Sequence, residues 1–301
     1  MPAIDASTCA SPVAITCKDG VVLGGHLWRT STGPSKGFII VNPATGVLAR
    51  YYRFYAQFLA DSGFDILTYD YRGIGLSRPA RLRGCDYRWR DWGQLDFDAC
   101  VRFAQAHRRG GELLVVGHSV GGFLPGLAES GHLVDRMLTV GAQYAYWRDY
   151  APEHRARLFL KWHIIMPAMT FLFGYFPGRR LGWLEDLPAG VANEWSFKRA
   201  RTELNYPPHS RPEVLERFAS FRAPILAVVV EDDELGTLPA VRRTLNYYSG
   251  APWAEALLTP DALGVAAIGH FGLFHTRFAG TFWADTRLWL RDAINPWSER
   301  L

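Results

Sequence analysis

Apolar runs and amphipathic stretches alternate along this chain, and the alternation predicts its fold class. Residues 12–17 and 21–28 are strand-like and flank Lys18-Asp19-Gly20, which predicts a hairpin turn. Residues 37–42 (Gly-Phe-Ile-Ile-Val-Asn) are apolar without alternation until the last, the pattern of a strand buried on both faces. A helical pattern over 49–61 stops at Ser62-Gly63, and a strand over 64–69 follows. A helix is predicted from Asp91, with Leu95, Phe97, Cys100, Val101 and Ala104 as its apolar stripe. Asp91 and Gln94 have the spacing of a capping box. Strands at 113–117, 136–140, 224–230 and 255–258, with helices at 239–248 and 276–293, continue the series. Such alternation predicts an α/β fold, a mostly parallel sheet covered by helices on both faces.

The alternation lapses over 144–221. This stretch is dense in aromatics and is broken by prolines at 167, 177, 188, 207, 208 and 212. It reads as a helical cap inserted into a core made of 1–143 and 222–301. Within it, the uncharged run 164–176 is too short to span a bilayer. A buried or substrate-facing helix is expected there, with a membrane-surface helix as the alternative.

Composition narrows the class. At 301 residues, 49% hydrophobic and 21% charged, the chain is globular and large enough to need no disulfide or metal. Only four of the 33 basic residues are lysines, and the arginines are scattered, so no basic stripe points to nucleic acid. Cys9, Cys17, Cys85 and Cys100 form no C-x-x-C pair and no zinc spacing, which predicts reduced cysteines in a cytoplasmic protein. The stretch Met1-Pro2-Ala3-Ile4-Asp5 lacks the basic n-region of a signal peptide. Gly73-x-Gly75 is not a dinucleotide fingerprint, because Arg78 occupies the third glycine position and no helix opens there.

The chemistry gathers at 113–122, where a strand ends in Gly117-His118-Ser119-Val120-Gly121-Gly122 and a helical pattern follows. A serine on such a strained strand–turn–helix junction is exposed for attack, and the flanking glycines must stay small. Its hydroxyl needs a base, and the base needs an orienting acid. In a sheet of this kind both come from loops that follow strands. His270 follows the last strand and is the expected base. His118 lies inside the turn, His26 within a strand, and His275 at a helix start, while His132, His154, His163 and His209 follow no strand. The acid comes from Glu231-Asp232-Asp233-Glu234, with Asp233 as first choice and Asp232 as its rival. An oxyanion requires fixed N–H donors. These are expected from Val120, aided by the start of the following helix, and from Ala44 in the 43–46 loop, with Thr45 close behind.

Together with Asp70-x-Arg72-Gly73-x-Gly75-x-Ser77 and Gly269-His270-Phe271-Gly272, these motifs resemble the α/β-hydrolase superfamily, specifically its capped serine hydrolases. The likeness spans nearly the whole chain and is similar to a bacterial branch of predicted α/β hydrolases and esterases. It implies a Ser119–Asp233–His270 triad, an acyl-enzyme and neither cofactor nor metal. One position departs from the superfamily pattern: Asn42-Pro43 stands where His-Gly is usual. The serine argues against dehalogenases and epoxide hydrolases of this fold, which place an aspartate there. The expected function is hydrolysis of a small-molecule ester with an apolar or aromatic acyl group. Acyl transfer or thioester cleavage by the same triad is the alternative, and a non-catalytic binding protein on this scaffold is a third reading. No nucleic acid and no stable membrane insertion are expected; homo-oligomerisation is left open.

Overall fold

A computed structural model describes residues 10–299. Cys9 and the 1–5 stretch lie outside the described residues. β1 (Ala10–Thr16) and β2 (Val22–Trp28) form the expected hairpin. β3 (Gly37–Asn42), β4 (Asp65–Tyr69), β5 (Glu112–His118) and β6 (Arg136–Val140) follow. β7 (Tyr175–Phe176) and β8 (Leu187–Pro188) pair only with each other. β9 (Ile225–Val230) and β10 (Trp253–Leu258) complete the main sheet, whose order is β1-β2-β4-β3-β5-β6-β9-β10. From β4 to β10 every neighbouring pair is parallel, while β1 and β2 form an antiparallel edge.

The helices are α1 (Arg53–Asp61), α2 (Asp98–His107), α3 (Arg155–Phe159), α4 (Met166–Phe173), α5 (Gly178–Leu181), α6 (Ala189–Ser196), α7 (Arg211–Ser220), α8 (Leu238–Leu245) and α9 (Phe282–Asp292). The central strands read as unbroken apolar runs because each face meets a separate core. Phe38, Ile40, Leu113 and Val115 pack with residues of α2, α7 and α8. Ile39, Val41, Leu114 and Val116 pack with residues of α1 and α9. Each such buried side chain contributes about 1.5–3 kcal/mol, so both halves of the strand pattern are needed.

The Asp70–Ser77 motif is a structural corner. The Asp70 carboxylate accepts from the amides of Ala49 (2.7 Å) and Leu76 (2.9 Å), and Ser77 Oγ donates to the Asp70 carbonyl. Buried Arg72 donates to Asp96 (2.6 Å) and Asp19 (2.7 Å). The β1–β2 turn is thereby tied to the body of the molecule.

Three local expectations change. The capping box does not form: Asp91 Oδ2 accepts from the Arg88 amide instead, at 2.8 Å. The chain is already turning there, since Gly93 N and Gln94 N both donate to Arg90 O. No α-helix follows Ser119. Short 3₁₀ turns span Ser119–Gly122, Leu124–Leu127 and Glu129–Leu133, because Gly121, Gly122, Pro125 and Gly126 disfavour a regular helix. The last helix starts at Phe282, six residues later than its pattern suggests, after a 3₁₀ turn at Thr276–Phe278.

Between β6 and β9 lie α3 to α7 and the β7–β8 pair. α7 packs on the core: the Phe218 ring sits 4.9 Å from that of Phe123, just past the serine turn. Among the described residues no helix is long and apolar enough to cross a membrane.

Candidate active site

Ser119 directly follows the central parallel strand β5, and its backbone takes the left-handed region at φ 56°. A non-glycine residue there is strained, and surrounding contacts must hold it. The two glycines supply the room. A Cβ on Gly117 would stand 2.5 Å from Gly121 O, and one on Gly121 2.3 Å from Asn42 O. Asn42 adds a clamp. Its Nδ2 donates to Gly121 O (3.1 Å), and its Oδ1 accepts from Tyr69 OH (2.8 Å).

Asp233 and His270 follow β9 and β10 and meet beside this turn. His270 Nδ1 lies 2.7 Å from Asp233 Oδ2. Asp233 Oδ1 accepts from the amides of Leu235 (2.8 Å) and Gly236 (2.7 Å). Burial pushes the Asp233 carboxyl up, but His270 and the two amides outweigh it and hold the group below its usual range. Gly141, at φ 53°, is the third wall: a Cβ there would be 2.8 Å from Asp233 Oδ2. Asp232 faces elsewhere. Its carboxylate accepts from Ile268 N (2.9 Å) and Gly269 N (3.0 Å), so it clasps the loop that carries His270.

Ser119 and His270 line one cavity of about 280 Å³, together with Thr45, Val120, Gln143 and the indoles of Trp89, Trp162, Trp183 and Trp195. A larger, more open cleft of about 780 Å³ lies between the 84–90 and 189–205 segments and contains neither residue. Ser119 Oγ accepts a hydrogen bond from Gln143 Nε2 at 3.3 Å. It makes none to His270 among the described residues, and such contacts often tighten only around substrate. Gln143 was not singled out by the sequence. It lies three residues past β6, so the rule that site residues follow strands could have found it.

The N–H groups expected to receive an oxyanion differ in their present partners. The Ala44 amide donates to Tyr52 OH at 3.0 Å and is therefore already committed. Thr45 N and Val120 N have no hydrogen-bond acceptor among the described residues, and both residues line the cavity. The 43–46 loop is held by Trp89 Nε1 on Thr45 Oγ1 (3.1 Å) and Tyr71 OH on Pro43 O (3.1 Å). Because a 3₁₀ turn follows Ser119, a long helix dipole does not assist Val120.

His118 points away from Ser119, as its place in the turn suggests, but it is not idle. Its Nε2 lies 2.8 Å from His270 O, and its Nδ1 lies 2.7 Å from Tyr52 OH. A carbonyl can only accept, so Nε2 carries the proton and Nδ1 accepts from Tyr52. Tyr52 in turn accepts from Ala44 N. One buried chain of hydrogen bonds thus joins the 43–46 loop to the backbone of His270. Burial, reinforced by the neighbouring His270, pushes the His118 imidazole down to about 3.

Comparison with known proteins fixes the family. The model of the Hydrolase_4 family, described as serine aminopeptidase (S33), matches residues 33–186. This chain belongs to that family. The α/β-hydrolase fold recurs in solved structures over nearly the whole length of both partners. The Pyrococcus furiosus esterase Pf2001 has a TM-score of 0.57 and 16% identity, over 92% of this chain and 91% of that one. The α/β hydrolase GrgF from Penicillium sp. has a TM-score of 0.59 and 18% identity, over 95% and 100%. Est1E from Butyrivibrio proteoclasticus, solved with ferulic acid, has a TM-score of 0.58 and 14% identity, over 94% and 100%. At such identities the likeness is one of fold. No curated protein matches the sequence.

Proposed function

We propose that this α/β hydrolase cleaves a carboxylic ester through an acyl-enzyme on Ser119. The observation that carries the reading is the buried His270 Nδ1–Asp233 Oδ2 contact of 2.7 Å beside the cavity that Ser119 lines. Ser119 Oγ attacks the carbonyl carbon, and its proton passes to His270 Nε2. Asp233 fixes the tautomer that leaves Nε2 free to accept and stabilises the imidazolium that forms. The oxyanion is received by the N–H groups of Val120 and Thr45, Ala44 being committed to Tyr52. His270 then protonates the leaving alkoxide, and water repeats the sequence on the acyl-enzyme. No step calls for a cofactor.

Segment 144–221 acts as the cap, with α7 at its base against the core. Trp162 and Trp195, stacked at 4.6 Å, wall the cavity from the cap side. Such walls favour an apolar or aromatic acyl group, in keeping with the ferulic acid held by Est1E. A cavity of about 280 Å³ lies just below the usual range of about 300–1,000 Å³ for ligand sites. Short acyl groups should therefore be preferred. In a panel of 4-nitrophenyl esters, kcat/KM should be highest for butyrate or benzoate. It should fall by about tenfold or more for the palmitate. A monotonic rise with chain length contradicts the small-pocket reading. Added alcohols should leave the carboxylic acid as the main product. Transfer outrunning hydrolysis would assign the chain as an acyltransferase instead.

A further inference from the structure

The helical run from α3 to α4 has an inverted surface. Its inner face buries Trp162, His163, Met166 and Thr170. Its outer face presents Leu160, Ile164, Ala168, Phe171 and Leu172, all exposed. Leu160, Ile164, Ala168 and Leu172 follow the helical i, i+4 ladder and Phe171 stands at i+3 from Ala168, so the five form one continuous apolar stripe. Phe171 is 88% exposed and Leu172 68%. Scattered surface apolar residues are ordinary, whereas a contiguous stripe marks an interaction site.

Charge within the run itself is one-sided. Between Glu153 and Glu185 the sequence has no Asp or Glu, while Arg155, Arg157, Lys161, Arg179 and Arg180 fall there. Arg157 is paired with Glu234 and Arg179 with Glu185, which leaves Arg180 among the cations without an acid. Two arginines flank the apolar tip directly. Arg83 Nε donates to Phe173 O at 3.0 Å, and the Arg180 guanidinium lies 5.9 Å from the Phe173 ring. Neither has a carboxylate partner among the described residues. Exposed Phe and Leu beside unpaired guanidiniums are the components of a helix that lies in an anionic lipid interface.

We propose that the α3–α4 face docks on the surface of an anionic bilayer. Phe171 and Leu172 enter the acyl-chain boundary, and Arg83 and Arg180 meet lipid phosphates. The helix rests on the membrane and does not cross it, since no described helix is long and apolar enough. A second copy of this chain is the poorer occupant. A two-fold contact through the same face would bring the Arg83 and Arg180 pairs of both copies into one interface, with no acid between Glu153 and Glu185 to offset them. The proposal does not depend on the role of Ser119, although the same run supplies Lys161 and Trp162 to the cavity wall.

The test is co-sedimentation with vesicles of phosphatidylcholine alone and of phosphatidylcholine mixed with phosphatidylglycerol. The native protein should sediment with the mixed vesicles, more weakly with the neutral ones, and be released by high salt. Phe171→Ser/Leu172→Ser should weaken binding about tenfold or more. Arg83→Gln/Arg180→Gln should remove the preference for the anionic vesicles. Thermal melts of both double variants establish that they remain folded. Native protein left in the supernatant with both vesicles overturns the proposal, as does undiminished binding by folded Phe171→Ser/Leu172→Ser. A lipid-free dimer that this variant abolishes would assign the face to a second copy.

Discussion

Asp233→Asn should lower kcat on an activated ester by about three to four orders of magnitude, with KM little changed. The hydrogen-bond pattern gives the reason. Asp233 Oδ1 accepts from the amides of Leu235 and Gly236, and Oδ2 faces His270 Nδ1. An asparagine keeps its single oxygen on the two amides and turns its NH₂ toward Nδ1. Nδ1 must then accept, the ring proton moves to Nε2, and His270 can no longer take the proton of Ser119. Asp232→Asn is the control. It weakens only the clasp on Ile268 N and Gly269 N, so kcat should fall by less than about tenfold while stability drops by about 1–3 kcal/mol. Steady-state kinetics and urea melts of the two variants separate the roles. A severe kinetic loss in Asp232→Asn beside a mild one in Asp233→Asn would reverse the assignment.

The second large effect concerns stability in acid, and it comes from His118. The folded protein holds this imidazole neutral down to about 3, against an ordinary value of 6.5. Above about pH 6.5 the ring is neutral in both states and contributes no pH dependence. Below that value the unfolded chain binds a proton that the folded one refuses, so stability falls as pH drops toward about 3. Each pH unit crossed costs up to about 1.4 kcal/mol. Asp233 acts lower: its carboxyl is depressed, so its contribution is full above about pH 4 and is lost below. Between about pH 7 and pH 4.5 buried Asp96, pushed up to about 6, acts in the opposite sense, and buried His163, pushed down, in the same sense. The His118 share is therefore read from the difference between urea melts of the native protein and of His118→Gln. Over that window the native protein should lose about 2–3 kcal/mol more stability than His118→Gln. Equal slopes in the two proteins would contradict a buried neutral His118. The variant should also lose activity, because the Tyr52–His118 chain holds both the 43–46 loop and His270.

The parallel sheet was legible because its strands are buried on both faces. Residues 37–42 and 113–117 then have almost no polar position to disguise them. Ser119 was legible because the backbone packing at 117 and 121 admits only glycine. His270 could be found by its place after the last strand. The commitment of the Ala44 amide was not legible, since its acceptor is the hydroxyl of Tyr52, which lies on the following 3₁₀ turn. The capping box failed because a backbone turn had already begun at Arg90, and side-chain spacing carries no record of that. Gln143 and the His118 relay are contacts across the fold. Their residue types are common, and only three-dimensional proximity gives them meaning. The run over α3–α4 left core and membrane surface both open, because an apolar stretch looks the same in sequence whichever way it faces.

The central claim is that Ser119 is the nucleophile, and covalent capture tests it most directly. Native protein treated with a fluorophosphonate and analysed by intact and peptide mass spectrometry should gain one phosphonyl group, on Ser119. Ser119→Ala should gain none and lose ester hydrolysis. A folded native protein that stays unlabelled, or a Ser119→Ala protein that keeps its hydrolysis, would contradict the account.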